Sequence, residues 1–145
     1  MKRLLFTILI VAALVGLVVT PASTVIAAAS ANRSLPSSVT AGADFDVGIS
    51  IAEYGAFGQV VETLPSGFSY VGCDDLSEAA VDVGPDGQVV TFTLLEEDTA
   101  FTYTVKASSS AGSYPFSGIL KDVDKVESTL GGDTEIMVPA SRSLP

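Results

Sequence analysis

Residues 32–139 are predicted to fold as an all-β, immunoglobulin-like antiparallel β-sandwich of about eight strands, preceded by an N-terminal signal peptide. Three observations carry this prediction. Apolar and polar residues alternate with a period of two in Ala43 to Ile51, Gln88 to Leu94 and Thr99 to Ala107. Turn sequences rich in glycine, proline and serine separate these runs at the spacing of an all-β domain. No window holds a sustained helical stripe.

The chain begins with Lys2 and Arg3, followed by an almost unbroken apolar run from Leu4 to Val19 that Pro21 ends. Small residues at Ala27 to Ala31 then offer Ala-x-Ala cleavage sites, and the cut is expected before Asn32, so that residues 1–31 are removed. The alternative is an uncleaved membrane anchor, because Leu4 to Val19 with Val25 and Ile26 approaches the roughly 17 to 25 residues of a spanning helix. Either reading exports the rest of the chain, to a secreted or cell-surface location.

The 145-residue sequence carries 7 basic and 17 acidic residues, a formal charge of −10, and the export segment contains none of the acids. Losing Lys2 and Arg3 makes the remainder more acidic still. Such a surface repels nucleic acid and anionic lipid and keeps an exported protein in solution. Contact with the membrane is expected only through an uncleaved N-terminal segment. Cys73 is the one cysteine, so no internal disulfide forms and the core alone must hold the fold. It reads as a small, half-buried residue at a strand end, with an intermolecular bridge as the alternative.

An opening strand is expected at roughly Ser34 to Val39, closed by the turn Thr40-Ala41-Gly42. In the next strand Phe45, Val47, Ile49 and Ile51 point inward and Asp44 and Asp46 outward. Val60 to Gly72 joins two apolar-alternating runs through Pro65-Ser66-Gly67, read as a type I turn that Gly67 closes. Gly84-Pro85-Asp86-Gly87 is a strong hairpin turn. It leads into strands with Val90, Phe92 and Leu94, then Phe101, Tyr103 and Val105, facing in. Ser109 to Gly112 leads to a strand from Tyr114 through Asp122, and Gly131-Gly132-Asp133 to a last strand near Thr134 to Val138. A single closed sheet fits the strand count, but two layers suit a domain of this length.

One internal match stands out. Ala31-Asn32-Arg33-Ser34-Leu35-Pro36 returns as Ala140-Ser141-Arg142-Ser143-Leu144-Pro145, identical at every position but the second. The spacing, about 110 residues, is that of one sandwich domain. Residues 140–145 therefore read as the start of a second repeat or as a free C-terminal strand.

Arg33-Ser34-Leu35-Pro36 with Val39 to Val47, Glu62 to Phe68 with Tyr70-Val71, Phe101 to Val105, and Tyr114 to Gly118 with Gly131 to Thr134 together resemble a conserved-repeat β-sandwich family. That family decorates exported surface proteins of archaea, notably methanogens, and of some bacteria. The resemblance covers nearly the whole mature chain, implies a sandwich fold, and brings no catalytic residues with it.

The residues alone offer little chemistry. The sequence has no histidine, which removes the usual general base, the commonest metal ligand and every Ser-His or Cys-His nucleophile. Asp74, Asp75 and Glu78 are weak calcium candidates, lacking the spaced Asp-x-Asp-x-Asp-Gly form. Paired carboxylates of a glycosidase have no aromatic platform here, and tryptophan is absent. No catalytic or cofactor-binding residue is assigned. Asn32, in Asn32-Arg33-Ser34, is the one glycosylation sequon. Tyr103 is expected to be buried with its hydroxyl bonded to a neighbouring connection.

The leading expectation is a non-catalytic structural or adhesive module whose partners are other surface proteins or further copies of itself. A filament subunit assembling by strand exchange through its C-terminal segment is one alternative. A surface module binding calcium or carbohydrate is the other.

Overall fold

The computed structural model describes residues 27–141. Twelve strands build two five-stranded sheets and one two-stranded sheet. The first layer is β11-β1-β2-β7-β4, formed by Gly131–Gly132, Ser30–Ser34, Asp44–Ala52, Ala100–Lys106 and Ser69–Gly72. The second is β10-β9-β3-β6-β5, formed by Glu127–Thr129, Ser117–Lys121, Phe57–Thr63, Val89–Leu95 and Val81–Val83. Strands β8 (Gly112–Pro115) and β12 (Glu135–Val138) pair on their own. The one helical element among the described residues is a 3-10 turn at Glu78–Ala80.

The alternation places the core as expected. Phe45, Val47, Ile49 and Ile51 of β2, Val90, Phe92 and Leu94 of β6, and Phe101, Tyr103 and Val105 of β7 are all buried. Aromatic side chains from both layers meet at two places. Phe45, Phe68 and Phe116 pack edge to face with ring centroids 5.8 to 6.3 Å apart. Phe92 lies 4.8 Å from both Phe101 and Tyr103. Each such pair adds about 0.5 to 1.5 kcal/mol beyond the area it removes from water.

Several expected elements shift, for identifiable reasons. The opening strand lies at Ser30–Ser34 rather than Ser34 to Val39, because Ala31 and Arg33 hold the inward phase and Pro36 has no N–H for a ladder. Ser38 makes only an isolated bridge to Met137. The turn after β3 runs one residue later than expected: the Phe68 amide donates to Pro65 O (3.1 Å) and Gly67 sits third with φ of 89°, which makes it type II. Its flanking strands, moreover, lie in different sheets, so this turn carries the chain across the sandwich. The stretch Tyr114 to Asp122 divides after Pro115 into β8 and β9, in different sheets. That division and the two- and three-residue strands β5, β10 and β11 raise the count above eight. The hairpin at Gly84 to Gly87 forms as expected, its ends closed by Gly84 N to Val89 O at 2.8 Å.

Residues 1–26, most of the expected signal peptide or anchor, and Arg142 to Pro145 lie outside the described residues. The expected cut before Asn32 falls inside β1.

Among the described residues one ion pair spans the interior. Arg33 on β1 and Glu62 on β3 are 3% and 0% exposed, and they meet in a two-pronged contact. Nε donates to Oε1 at 3.0 Å and Nη2 to Oε2 at 2.7 Å. Gly118 on β9 passes directly behind, where a Cβ would lie 2.9 Å from Arg33 Nη2 and 3.0 Å from Glu62 Oε2. Removing one partner of a buried pair costs about 3 to 5 kcal/mol because the other charge stays behind without compensation. Glu62→Ala is therefore expected to lower the calorimetric melting temperature by roughly 10 to 20 °C. Gly118→Ala is expected to cost about 1 to 3 kcal/mol through overpacking.

Candidate functional site

The strongest polar constellation in the molecule is the surroundings of Arg33. Period-two alternation brings it there: Ala31 and Arg33 share the inward face of β1, and Val60, Glu62 and Leu64 continue the inward face of β3 and the residue after it. Beyond the two bonds to Glu62, Arg33 Nη1 donates to Asp133 O at 2.9 Å, and the guanidinium stacks 5.7 Å from the Phe116 ring centroid. Burial pushes the Glu62 carboxyl above the usual carboxylate range, and the Arg33 hydrogen bonds and charge pull it part of the way back. Both side chains are shut off from solvent, and every partner the pair has belongs to the fold. Its chemistry is architectural.

Tyr103 stands beside the pair, fully buried, with its hydroxyl lacking a hydrogen-bond partner. Burial first, and the Glu62 charge second, hold that hydroxyl far above its ordinary pKa. The expected bond from Tyr103 to a connection is thus not made, because the side chain points into the core and is fully buried there. Tyr54 fills that role instead. Its hydroxyl faces the carbonyls of Leu95 and Asp98, the latter at 2.7 Å, tying the connection after β2 to the turn between β6 and β7. Tyr114 does the same on a smaller scale, donating to Ser110 O at 2.6 Å.

The three calcium candidates are divided between two grooves. Asp74 and Glu78 line a shallow groove of about 450 Å³ with Tyr70, Cys73, Leu76 and Val81. Asp75 turns instead to β7, where its Oδ2 accepts the Thr102 amide at 2.7 Å. There it completes the edge that β4 leaves when it ends at Gly72. Cys73, half-buried just after β4, adds a weak contact from Sγ to Thr102 O at 3.4 Å, and burial pushes its thiol pKa up. Among the described residues no three His, Cys, Asp or Glu side chains come together in a group able to hold a metal ion. Asp122 is likewise occupied, its Oδ1 accepting the Asp124 and Val126 amides, both at 2.9 Å.

Asn32 lies exposed within β1 rather than on a free tail. It is paired in register with Ser50 on one side and Gly131 on the other.

Sequence reasoning missed the Arg33–Glu62 pair and the anchoring Tyr54. The first left a signal, since Glu62 falls in the inward phase between Val60 and Leu64, where an acid needs a partner. Tyr54 left none, because it sits outside any alternating run.

No protein-family model matches the chain, and no curated protein matches it significantly. Solved structures do. A non-cellulosomal cohesin from the hyperthermophilic archaeon Archaeoglobus fulgidus superposes with a TM-score of 0.51 at 10% identity, covering 79% of this chain and 93% of that one. The cupredoxin domain of amoB from Nitrosocaldus yellowstonii gives a TM-score of 0.42 at 11% identity, over 70% of this chain and 60% of that one.

Two measurements check these assignments. Tyr103→Phe removes an unpaired buried hydroxyl and is expected to raise stability by about 1 kcal/mol in urea unfolding, where loss of a real hydrogen bond would lower it. Millimolar calcium is expected to leave the melting temperature unchanged, because a site on the folded state would raise it by mass action. The chain is an immunoglobulin-like β-sandwich similar in fold to an archaeal cohesin.

Proposed function

We propose that this chain is a non-catalytic β-sandwich module of the cell exterior, a structural or adhesive unit that works by contact with other surface proteins or with further copies of itself. The carrying observation is how the polar groups are used. The buried ion pair holds the two layers together, while Asp75 and Asp122 cap backbone amides. The polar side chains with the most contacts, Arg33, Glu62, Asp75 and Asp122, are thus all engaged with the fold itself.

Further features support the reading. The basic start and apolar run of residues 1–31 suit export, and the acidic surface suits an exposed protein. The return of the Ala31 to Pro36 sequence at Ala140 to Pro145 suits repeated use of one module, as in the surface-protein family the chain resembles. Likeness to a cohesin accords with this through fold alone. A surface module for calcium or carbohydrate has less support, since Asp75 is already engaged by β7.

Protease treatment of intact cells tests the location. Fragments of residues 32–139 are expected in the supernatant before lysis. Protection of the sandwich until the cells are broken contradicts the proposal.

A further inference from the structure

Each identity between Ala31 to Pro36 and Ala140 to Pro145 falls where β1 has a defined task. Ala31 is 3% exposed in the core, and Arg33 makes the ion pair. Ser34 stands opposite Gly48, Leu35 packs partly against the core with its amide on Asp133 Oδ2 at 2.9 Å, and Pro36 follows the strand. The one difference, Asn32 against Ser141, falls on a side chain that faces solvent. The C-terminal segment is therefore a second β1 in every respect the sandwich reads. Yet Ala140 is exposed, where Ala31 is buried.

This strand cannot serve its own sandwich. Gly131 lies beside Asn32 and Met137 beside Ser38, both in parallel pairing. To put Ala140 in the place of Ala31, the chain would have to double back from the level of Ser38, seven residues along and on the order of 20 Å away. The three residues from Met137 to Ala140 reach at most about 10 Å. The β1 slot of its own sandwich is out of its reach.

An intact β1 gives that slot no reason to change occupant, because one strand would replace its equal while association costs entropy. A cut before Asn32 alters the balance. It strips Ser30 and Ala31 from the resident strand, losing their pairing with Ala52 and Ile51 and the burial of Ala31. The donated strand restores the alanine, and Pro139 falls at the first strand position, where proline is tolerated.

We propose that processing before Asn32 opens the β1 slot and that residues 140–145 of a second copy fill it, with Arg142 taking the Glu62 carboxylate. Copies then join head to tail, a heterologous contact that extends into a filament. This rests on the exported, processed reading above, but the test uses purified chains of defined ends, so its failure leaves surface exposure untouched. A Cβ at Gly48 would lie 3.6 Å from Ser34 Cβ, within the roughly 3.5 to 4.5 Å of a disulfide, and Ser143 takes the place of Ser34 in the donated strand.

Chains 32–145 and 27–145 carrying C73S, G48C and S143C are oxidised at increasing concentration. The form starting at Asn32 is expected to give a ladder of covalent oligomers, at least tenfold weaker from the form starting at Ala27 and lost with Arg142→Ala. A 27–145 chain with C73S, S34C and G48C, closing within one molecule, shows that the geometry permits the bond. An Asn32 form that stays monomeric or unfolded at every concentration overturns the proposal, as does a ladder of equal strength from both forms.

Discussion

Two charges buried between facing sheets set the terms for this sandwich. Arg33 reaches from one layer and Glu62 from the other, and the planar guanidinium matches the carboxylate through two parallel bonds. Desolvating both groups cancels much of their attraction, so an apolar pair of the same volume would hold the layers as well. What the fork adds is register. Hydrophobic side chains tolerate sliding, whereas a two-pronged contact with Asp133 O behind it and Phe116 beneath it is satisfied in one alignment of β1 over β3. Gly118 and the bare hydroxyl of Tyr103 follow from the same constraint: the first makes room for the pair, and the second is crowded beside it without a partner.

From that constraint the rest can be read outward. With β1 fixed, β11 lies parallel beside it at the edge of the first layer. The connections are tied down by side chains reaching backbone: Tyr54 to the β6–β7 turn, Asp75 to the free edge of β7, Asp122 within its own turn. Asp75 and Asp122 thereby serve the fold. A domain without disulfides and with a strongly acidic surface needs such local closures, since its core alone opposes chain entropy.

The core was legible in the sequence because period-two alternation is a direct consequence of pleating. Phe45 to Ile51, Val90 to Leu94 and Phe101 to Val105 all point as their spacing requires. Less legible were the points where the chain changes layers. Pro65 to Gly67 looks like a hairpin turn and Tyr114 to Asp122 like one strand, and local sequence does not say whether the chain pairs with its last strand or crosses to the other sheet. The ion pair was half visible: Glu62 sat in an inward phase and Arg33 in a repeated hexapeptide, but nothing in sequence order joins residues from different layers. Tyr103 misled because a buried strand tyrosine normally finds a partner.

The account depends on Arg33 and Glu62 acting as one unit. A double-mutant cycle with Arg33→Met, Glu62→Leu and the pair together, read by urea unfolding, tests this directly. We expect each single change to destabilise the fold strongly and the double change to cost clearly less than the sum of the two, a coupling of about 2 to 3 kcal/mol. Additive effects of the two substitutions would contradict it.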